Sequence, residues 1–229
     1  MASKVKILSV GGSIIIPKTG FDISFLKELR KLILSFVKQG TRFILVVGGG
    51  ATCRYYQQAA RQLSVSSAND LDWIGISTTM LNANFVRVIL KELAHEHVVT
   101  DSKKKVRLKK PVLVAGGLKP GQSTDAQAVA FAKTYGAKEI INLSNTAYIY
   151  DKDPAKFKGA QKIEHIDWKT LRKNIIGDTW EPGKNIPFDP VASREAQKLG
   201  LTVSFVDGNN LKEVQKAVQG KPFQGTIVK

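Results

Sequence analysis

Apolar and polar positions alternate along this chain in two rhythms that follow one another repeatedly. In FLKELRKLILSFVKQG, residues Phe25, Leu26, Leu29, Leu32, Ile33 and Phe36 recur at three- and four-residue spacing, while Lys27, Glu28, Arg30, Lys31 and Lys38 fall elsewhere. That spacing predicts a helix with one face in the core. Gly40 follows where a helix ends in a left-handed residue, and TRFILVV then reads as an extended run. The same unit returns as AVAFAKTYG before AKEIINL and as ASREAQKLG before LTVSFV, with Gly136 and Gly200 in the place of Gly40. The extended runs are apolar on both faces, which predicts central strands of a mainly parallel sheet covered by helices on both sides, an α/β fold. Residues 71–94 read as one long helix in which Thr79, Asn82 and Asn84 interrupt an otherwise apolar surface, a buried or interface-forming element. No Pro/Ser-rich linker divides the chain, so it is expected to form a single domain over residues 1–229; the weakest joint lies near Asn145 to Pro154.

Glycines sit at three strand ends: Gly11 and Gly12 after KVKILSV, Gly48 to Gly50 after RFILVV, and Gly116 and Gly117 after PVLVA. Without a Cβ, backbone N–H groups can approach an oxyanion, and a helix starting there turns its positive end toward the charge. Three such ends imply a polyphosphate, or two phosphorylated ligands meeting. Two familiar phosphate motifs fail. Gly116 to Ser123 nearly spells a P-loop, but Gln122 stands where the lysine belongs, and the 48–53 segment has Cys53 at the last glycine position of a dinucleotide fingerprint.

Composition narrows the class. With 43% hydrophobic residues in 229, the chain can bury a sizeable core. No apolar stretch is long enough for a bilayer and the first residues lack a cleavable signal pattern, so a cytoplasmic protein with no membrane partner is expected. Cys53 is the single cysteine and reads as a small buried or half-buried filler. The excess of 35 Lys+Arg over 19 Asp+Glu gives a formal charge of +16. These residues are dispersed, the densest run, Ser102 to Lys110, reads as a solvated hairpin or loop, and no nucleic-acid module accompanies it. No nucleic-acid partner is expected, although salt-sensitive oligonucleotide binding would argue otherwise. His95, His97 and His165 form no metal-ligand spacing, so no protein-held metal is expected.

The neighbours of the glycines resemble the amino acid kinase superfamily and, within it, the archaeal-type uridylate kinases. The resemblance runs through VGGSIIIP at 10–17, VVGGGATCRYY at 46–56, DWIGISTTMLNAN at 72–84, GGLKPGQSTDA at 116–126, SNTAYIYDKDP at 144–154 and FDPVASREA at 188–196. It implies a three-layer αβα sandwich around a mainly parallel sheet, with an acceptor-nucleotide lobe over roughly 1–143 and an ATP lobe over 144–229. It also implies direct in-line phosphoryl transfer from ATP to UMP, Mg²⁺ arriving with ATP, and a homo-oligomer, a hexamer built as a trimer of dimers. By the same resemblance Ser9, Val10, Gly11, Gly12, Ser13, Gly50, Arg54, Ser144, Asn145, Tyr150 and Asp153 fall to ATP. Gly49, Asp72 and the loop Leu118, Lys119, Pro120, Gly121, Gln122, Ser123 and Thr124 fall to UMP. Arg54, Gly12 and Lys119 would act on the phosphoryl in flight. Such transfer needs little covalent help, only two polyanions brought together and their charge stabilised.

Several of these residues have a plainer reading. Asp72 can be a helix N-cap, as can Thr124, Asp125 and Asp189, the last of which can alternatively orient Mg²⁺ through water; Tyr150 can be a half-buried strand aromatic. The chain also departs from the pattern: Ser9 occupies a place where many members carry lysine, leaving Lys119 or Lys184 to supply charge, and the 145–150 loop lacks the usual Asp and Gly. Two rival functions stand beside the kinase reading. One is another small-molecule kinase of the superfamily, such as one for isopentenyl phosphate; the other is a non-catalytic nucleotide or oxyanion sensor or storage protein.

Overall fold

The computed structural model describes residues 5–65, 67–179 and 186–229. Its strands are β1 (Val5–Val10), β2 (Arg42–Val47), β3 (Val112–Ala115), β4 (Glu139–Ser144), β5 (Ile149–Tyr150), β6 (Lys162–Ile163), β7 (His165–Ile166), β8 (Thr202–Asp207) and β9 (Gly225–Val228). Its helices are α1 (Gly12–Ile15), α2 (Ile23–Lys38), α3 (Gly50–Gln62), α4 (Ala68–Ile89), α5 (Thr124–Tyr135), α6 (Trp168–Leu171), α7 (Pro190–Lys198) and α8 (Leu211–Gln219).

One sheet of order β3-β2-β1-β4-β8-β9-β7 carries strands from both halves of the chain. Pairing is parallel from β3 through β8 and antiparallel only between β8 and β9. Both faces are buried because successive side chains alternate across the strand. Leu8 and Val10 pack with Leu29 and Ile33 of α2, Val86 of α4 and Val214 of α8. Ile7, the residue before Leu8, packs on the other side with Phe131 of α5, with Phe188 and with Ala196 of α7. The expected αβα sandwich is therefore the observed fold. Gly40, Gly136 and Gly200 take the left-handed conformation at the predicted helix ends, with φ of +85°, +69° and +59°.

One local expectation changes, and another is narrowed to one of its two alternatives. The long helix starts earlier and ends sooner than 71–94, over Ala68–Ile89. Ser67 accepts the Asp70 N–H as its N-cap, and after Leu90 the chain turns so that the His95 N–H reaches the Val112 carbonyl and Ala94 joins the edge of β3. The basic stretch from Ser102 to Lys110 is a loop without a hairpin, anchored where the Thr134 hydroxyl donates to the buried Ser102 carbonyl.

Strand order decides where a ligand can sit. From β1 the chain proceeds to β2 and β3 on one side, whereas β4 lies on the other. The connections at the carboxyl ends of β1 and β4 thus diverge and open a crevice, the usual ligand position in open parallel sheets.

Candidate functional site

At that edge lies a cavity of about 550 Å³ walled by Ser13, Gly49, Gly50, Arg54, Asp72, Lys119 and Gln122, among others. Its floor is made by two glycine turns in contact. Gly12 lies so close to the triplet that a Cβ there would stand 2.1 Å from the Gly50 nitrogen, and Gly50 itself has φ +66°. The N–H groups of Gly12, Ser13, Gly49 and Gly50 donate to no protein atom among the described residues. Four unpaired amide donors beside the N-terminus of the thirteen-residue α3 make a surface suited to anionic oxygen. Cations add to it. Arg54, exposed in the second turn of α3, crosses the floor to donate to the Ser13 hydroxyl at 2.9 Å, while Lys119 and Lys18 also reach the cavity wall.

The opposite wall is α4 and the loop after β3. Asp72 lies in the second turn of α4, where it caps nothing; its carboxylate accepts the Gly121 N–H at 2.7 Å and so ties the 118–124 loop to the helix. Lys119, Gln122, Ser123 and Thr124 line the cavity, and the Gln122 Oε1 is buried without a described partner. Ser123, rather than Thr124 or Asp125, caps α5 by accepting the Ala126 N–H. Cys53 touches the Gly49–Thr78 corner, and burial pushes its thiol above the ordinary range, so it faces the cavity neutral.

A family model described as the amino acid kinase family matches residues 4–207. The chain belongs to the amino acid kinase family. It is 32% identical over 225 residues to the uridylate kinase of Methanocorpusculum labreanum, covering 97% of this chain and 94% of that one. It is 30% identical to the uridylate kinase of Pyrococcus abyssi, over 97% and 98% of the two chains. The crystal structure of uridylate kinase from Archaeoglobus fulgidus superposes with a TM-score of 0.82 at 29% identity, covering 99% of this chain and 100% of that one. UMP kinase from Bacillus anthracis shares the fold at 19% identity and a TM-score of 0.79, over 99% and 96% of the chains. Among the described residues no helix is long and apolar enough to cross a membrane.

Not every residue marked in the sequence comes to the cavity of this amino acid kinase. At the third strand end Gly117 lines the cavity and Gly116 does not, and the N–H groups of both are engaged: Gly116 donates to the Val99 carbonyl and Gly117 to the Thr79 hydroxyl. Their lack of side chains serves close packing, since a Cβ would meet Met80 at 2.8 Å and Thr79 at 2.9 Å. Ser9 and Val10 are buried within β1 and the Gly11 N–H donates to the Leu143 carbonyl at 2.9 Å, so none of the three lines the cavity. Asn145 lines the cavity; Ser144, Tyr150 and Asp153 do not. The Ser144 hydroxyl turns back to the Thr146 carbonyl, Tyr150 pairs with Lys162, and Asp153 accepts the Ala155 N–H. Leu118, Pro120 and Gly121 shape the loop without lining the cavity. Lys184 lies outside the described residues.

Beside Ser9 lie two carboxyl groups, those of Asp125 and Asp189. The Ser9 hydroxyl and Asn142 amide approach one oxygen of half-buried Asp125 at 3.4 Å, and the Asp189 N–H donates to the other at 3.1 Å. Burial first, and the Asp189 carboxylate second, push the Asp125 carboxyl up to about 7. Asp189 caps α7, accepting from Val191 and Ala192 at 2.6 and 3.0 Å.

The cavity residues that sequence reasoning passed over are Lys18, Gln57 and, beside the expected Asp72, the rest of the inward face of α4. Asp72, Gly75, Ile76 and Thr79 recur every three to four residues along the cavity. The signal was present as small and polar residues breaking an apolar helix at that same period.

Proposed function

We propose that this chain transfers the γ-phosphoryl group of MgATP directly to the phosphate of UMP, in line and without a covalent enzyme intermediate, giving UDP and ADP. The observation that carries the reading is the set of unpaired amides at Ser13, Gly49 and Gly50 lining a cavity large enough for phosphate groups to meet, with the unpaired amide of Gly12 packed against Gly50 and Arg54 reaching across to the Ser13 hydroxyl. Fixed donors aimed at developing charge, with no reorganisation during reaction, are what phosphoryl transfer requires. UMP as acceptor is supported by the names of the relatives that extend over nearly the whole chain.

In this reading Gly12, Ser13 and Gly50 hold the ATP phosphates, Gly11 shapes the turn with its own N–H donated to the Leu143 carbonyl, and Gly49 faces the UMP phosphate. Asp72 and the 118–124 loop enclose the UMP nucleoside, while Arg54 and Lys119 neutralise the transferring group. Ser144, Asn145, Tyr150 and Asp153 surround the donor nucleoside. Mg²⁺ enters as part of the substrate and is held chiefly by phosphate oxygens. The molecule works in the cytoplasm as a hexamer, a trimer of dimers. Its dimer surface is the outer groove of about 440 Å³ between α3 and α4, where Tyr56 and Leu81 are 63% and 62% exposed; a monomer in light scattering would remove this assignment.

A coupled assay of ADP release with UMP, CMP, dCMP, GMP, AMP and isopentenyl phosphate as acceptors tests the activity. UMP should be turned over with the highest kcat/KM. Preference for another acceptor makes the chain a different kinase of its family, and binding of ATP and UMP without turnover makes it a sensor, the reading favoured by Ser9 standing in place of lysine.

A further inference from the structure

Asn82 is wholly buried in α4, and its side chain makes an unusual bargain. The Nδ2 group donates to the carbonyls of both Gly48 and Gly49, at 2.8 and 3.0 Å, while the Oδ1 has no described partner. A buried amide oxygen left unpaired opposes folding, so this residue is poorly explained as a stabiliser. The geometry of the two peptides it grips supplies another reason.

A trans peptide unit is planar, and its C=O and N–H point in opposite directions. Fixing the Gly48 carbonyl therefore fixes the direction of the Gly49 N–H, and fixing the Gly49 carbonyl fixes that of the Gly50 N–H. Both N–H groups are without a described protein acceptor, and both glycines line the cavity. Glycine is the residue least able to hold such an orientation by itself, because its backbone has the widest conformational freedom. We propose that Asn82 is a positioning residue: by holding two carbonyls against α4 it aims the Gly49 and Gly50 N–H groups at the phosphates. This rests on the reading of the glycine triplet as a phosphate site. Asn82 touches no ligand itself and acts only through the two peptides.

Two substitutions test it. Asn82→Leu keeps the volume and removes both donors together with the unpaired oxygen; Asn82→Asp keeps the shape and sets acceptors against two carbonyl oxygens. The decisive readout is calorimetric affinity for UMP against uridine, and for ATP against adenosine, with thermal midpoints and kcat/KM alongside. The expected result for Asn82→Leu is a thermal midpoint within a few degrees of wild type and unchanged affinity for uridine. Preference for UMP over uridine should fall at least about tenfold, and kcat/KM about a hundredfold; Asn82→Asp should lose more. Equal weakening of nucleoside and nucleotide, an unchanged preference, or loss of the folded state in both variants would assign Asn82 to stability and overturn the proposal. If wild type turns over no UMP, the activity reading fails separately and the ATP-against-adenosine pair still decides Asn82. A wild type that binds neither nucleotide overturns both.

Discussion

The contact between the two glycine turns makes Gly12→Ala the most discriminating single substitution. A Cβ on Gly12 would lie 2.1 Å from the Gly50 nitrogen and 2.5 Å from the Gly48 oxygen, all of it backbone that no side-chain rotation can move. Ordinary contact begins at 3.4 Å, so the turns must separate by the difference between 3.4 and 2.1, which is 1.3 Å. That displacement acts across the line between the amides at 12–13 and those at 49–50, widening the distance between whatever two phosphates they hold. Misplacement by about 1 Å costs a reaction of this kind on the order of a hundredfold, and overpacking adds about 1–3 kcal/mol of destabilisation. Gly40→Ala is the control. Gly40, unlike Gly12, has a positive φ, +85°, and nothing lies within 4 Å of a Cβ there, so it should lower stability by backbone strain alone and leave kcat/KM intact. Initial rates of ADP release and thermal melts of the two variants are compared. If Gly12→Ala keeps kcat/KM within twofold of wild type, the two turns do not hold the reacting phosphates and the site is misassigned.

Arg54 is exposed and, among the described residues, donates only to Ser13, so Arg54→Ala should change stability by less than about 0.5 kcal/mol. It should still lower kcat/KM by about a hundredfold to a thousandfold, with Arg54→Lys recovering part of it; an Ala variant of wild-type activity refutes its role. Asp125, pushed up from 3.8 to about 7, binds a proton in the folded chain that the unfolded chain has released between those values. The sign follows: its contribution is favourable below about pH 4 and is lost as pH rises to 7, by about 2–4 kcal/mol given partial exposure. Asp125→Asn should therefore flatten the decline of the thermal midpoint across pH 4–7, and the same slope in variant and wild type would contradict the buried-carboxyl account.

The fold was legible because its cause is periodic. The two-sided apolar runs at Val5–Val10, Arg42–Val47 and Thr202–Asp207 can bury both faces only inside a parallel sheet, and left-handed glycines at 40, 136 and 200 end the helices between them. Two of the three glycine ends were legible for the same local reason. The third was not, because whether an amide is free depends on what packs above it. Gly117 looks like Gly49 in sequence, yet Thr79 takes its N–H at 2.8 Å.

The linear order of residues determined the layers, the strand ends and the small residues at them, since each follows from interactions within a few positions of the chain. Only the tertiary structure decided which donors face a ligand. Asn82 is 33 and 34 residues from the carbonyls it holds, and Asp72 is 49 from the loop it ties. Ser9 and Asp125 meet across 116 residues. Such pairings exist only when helices and sheet are packed, because packing is what removes water and makes one hydrogen-bond partner count over another.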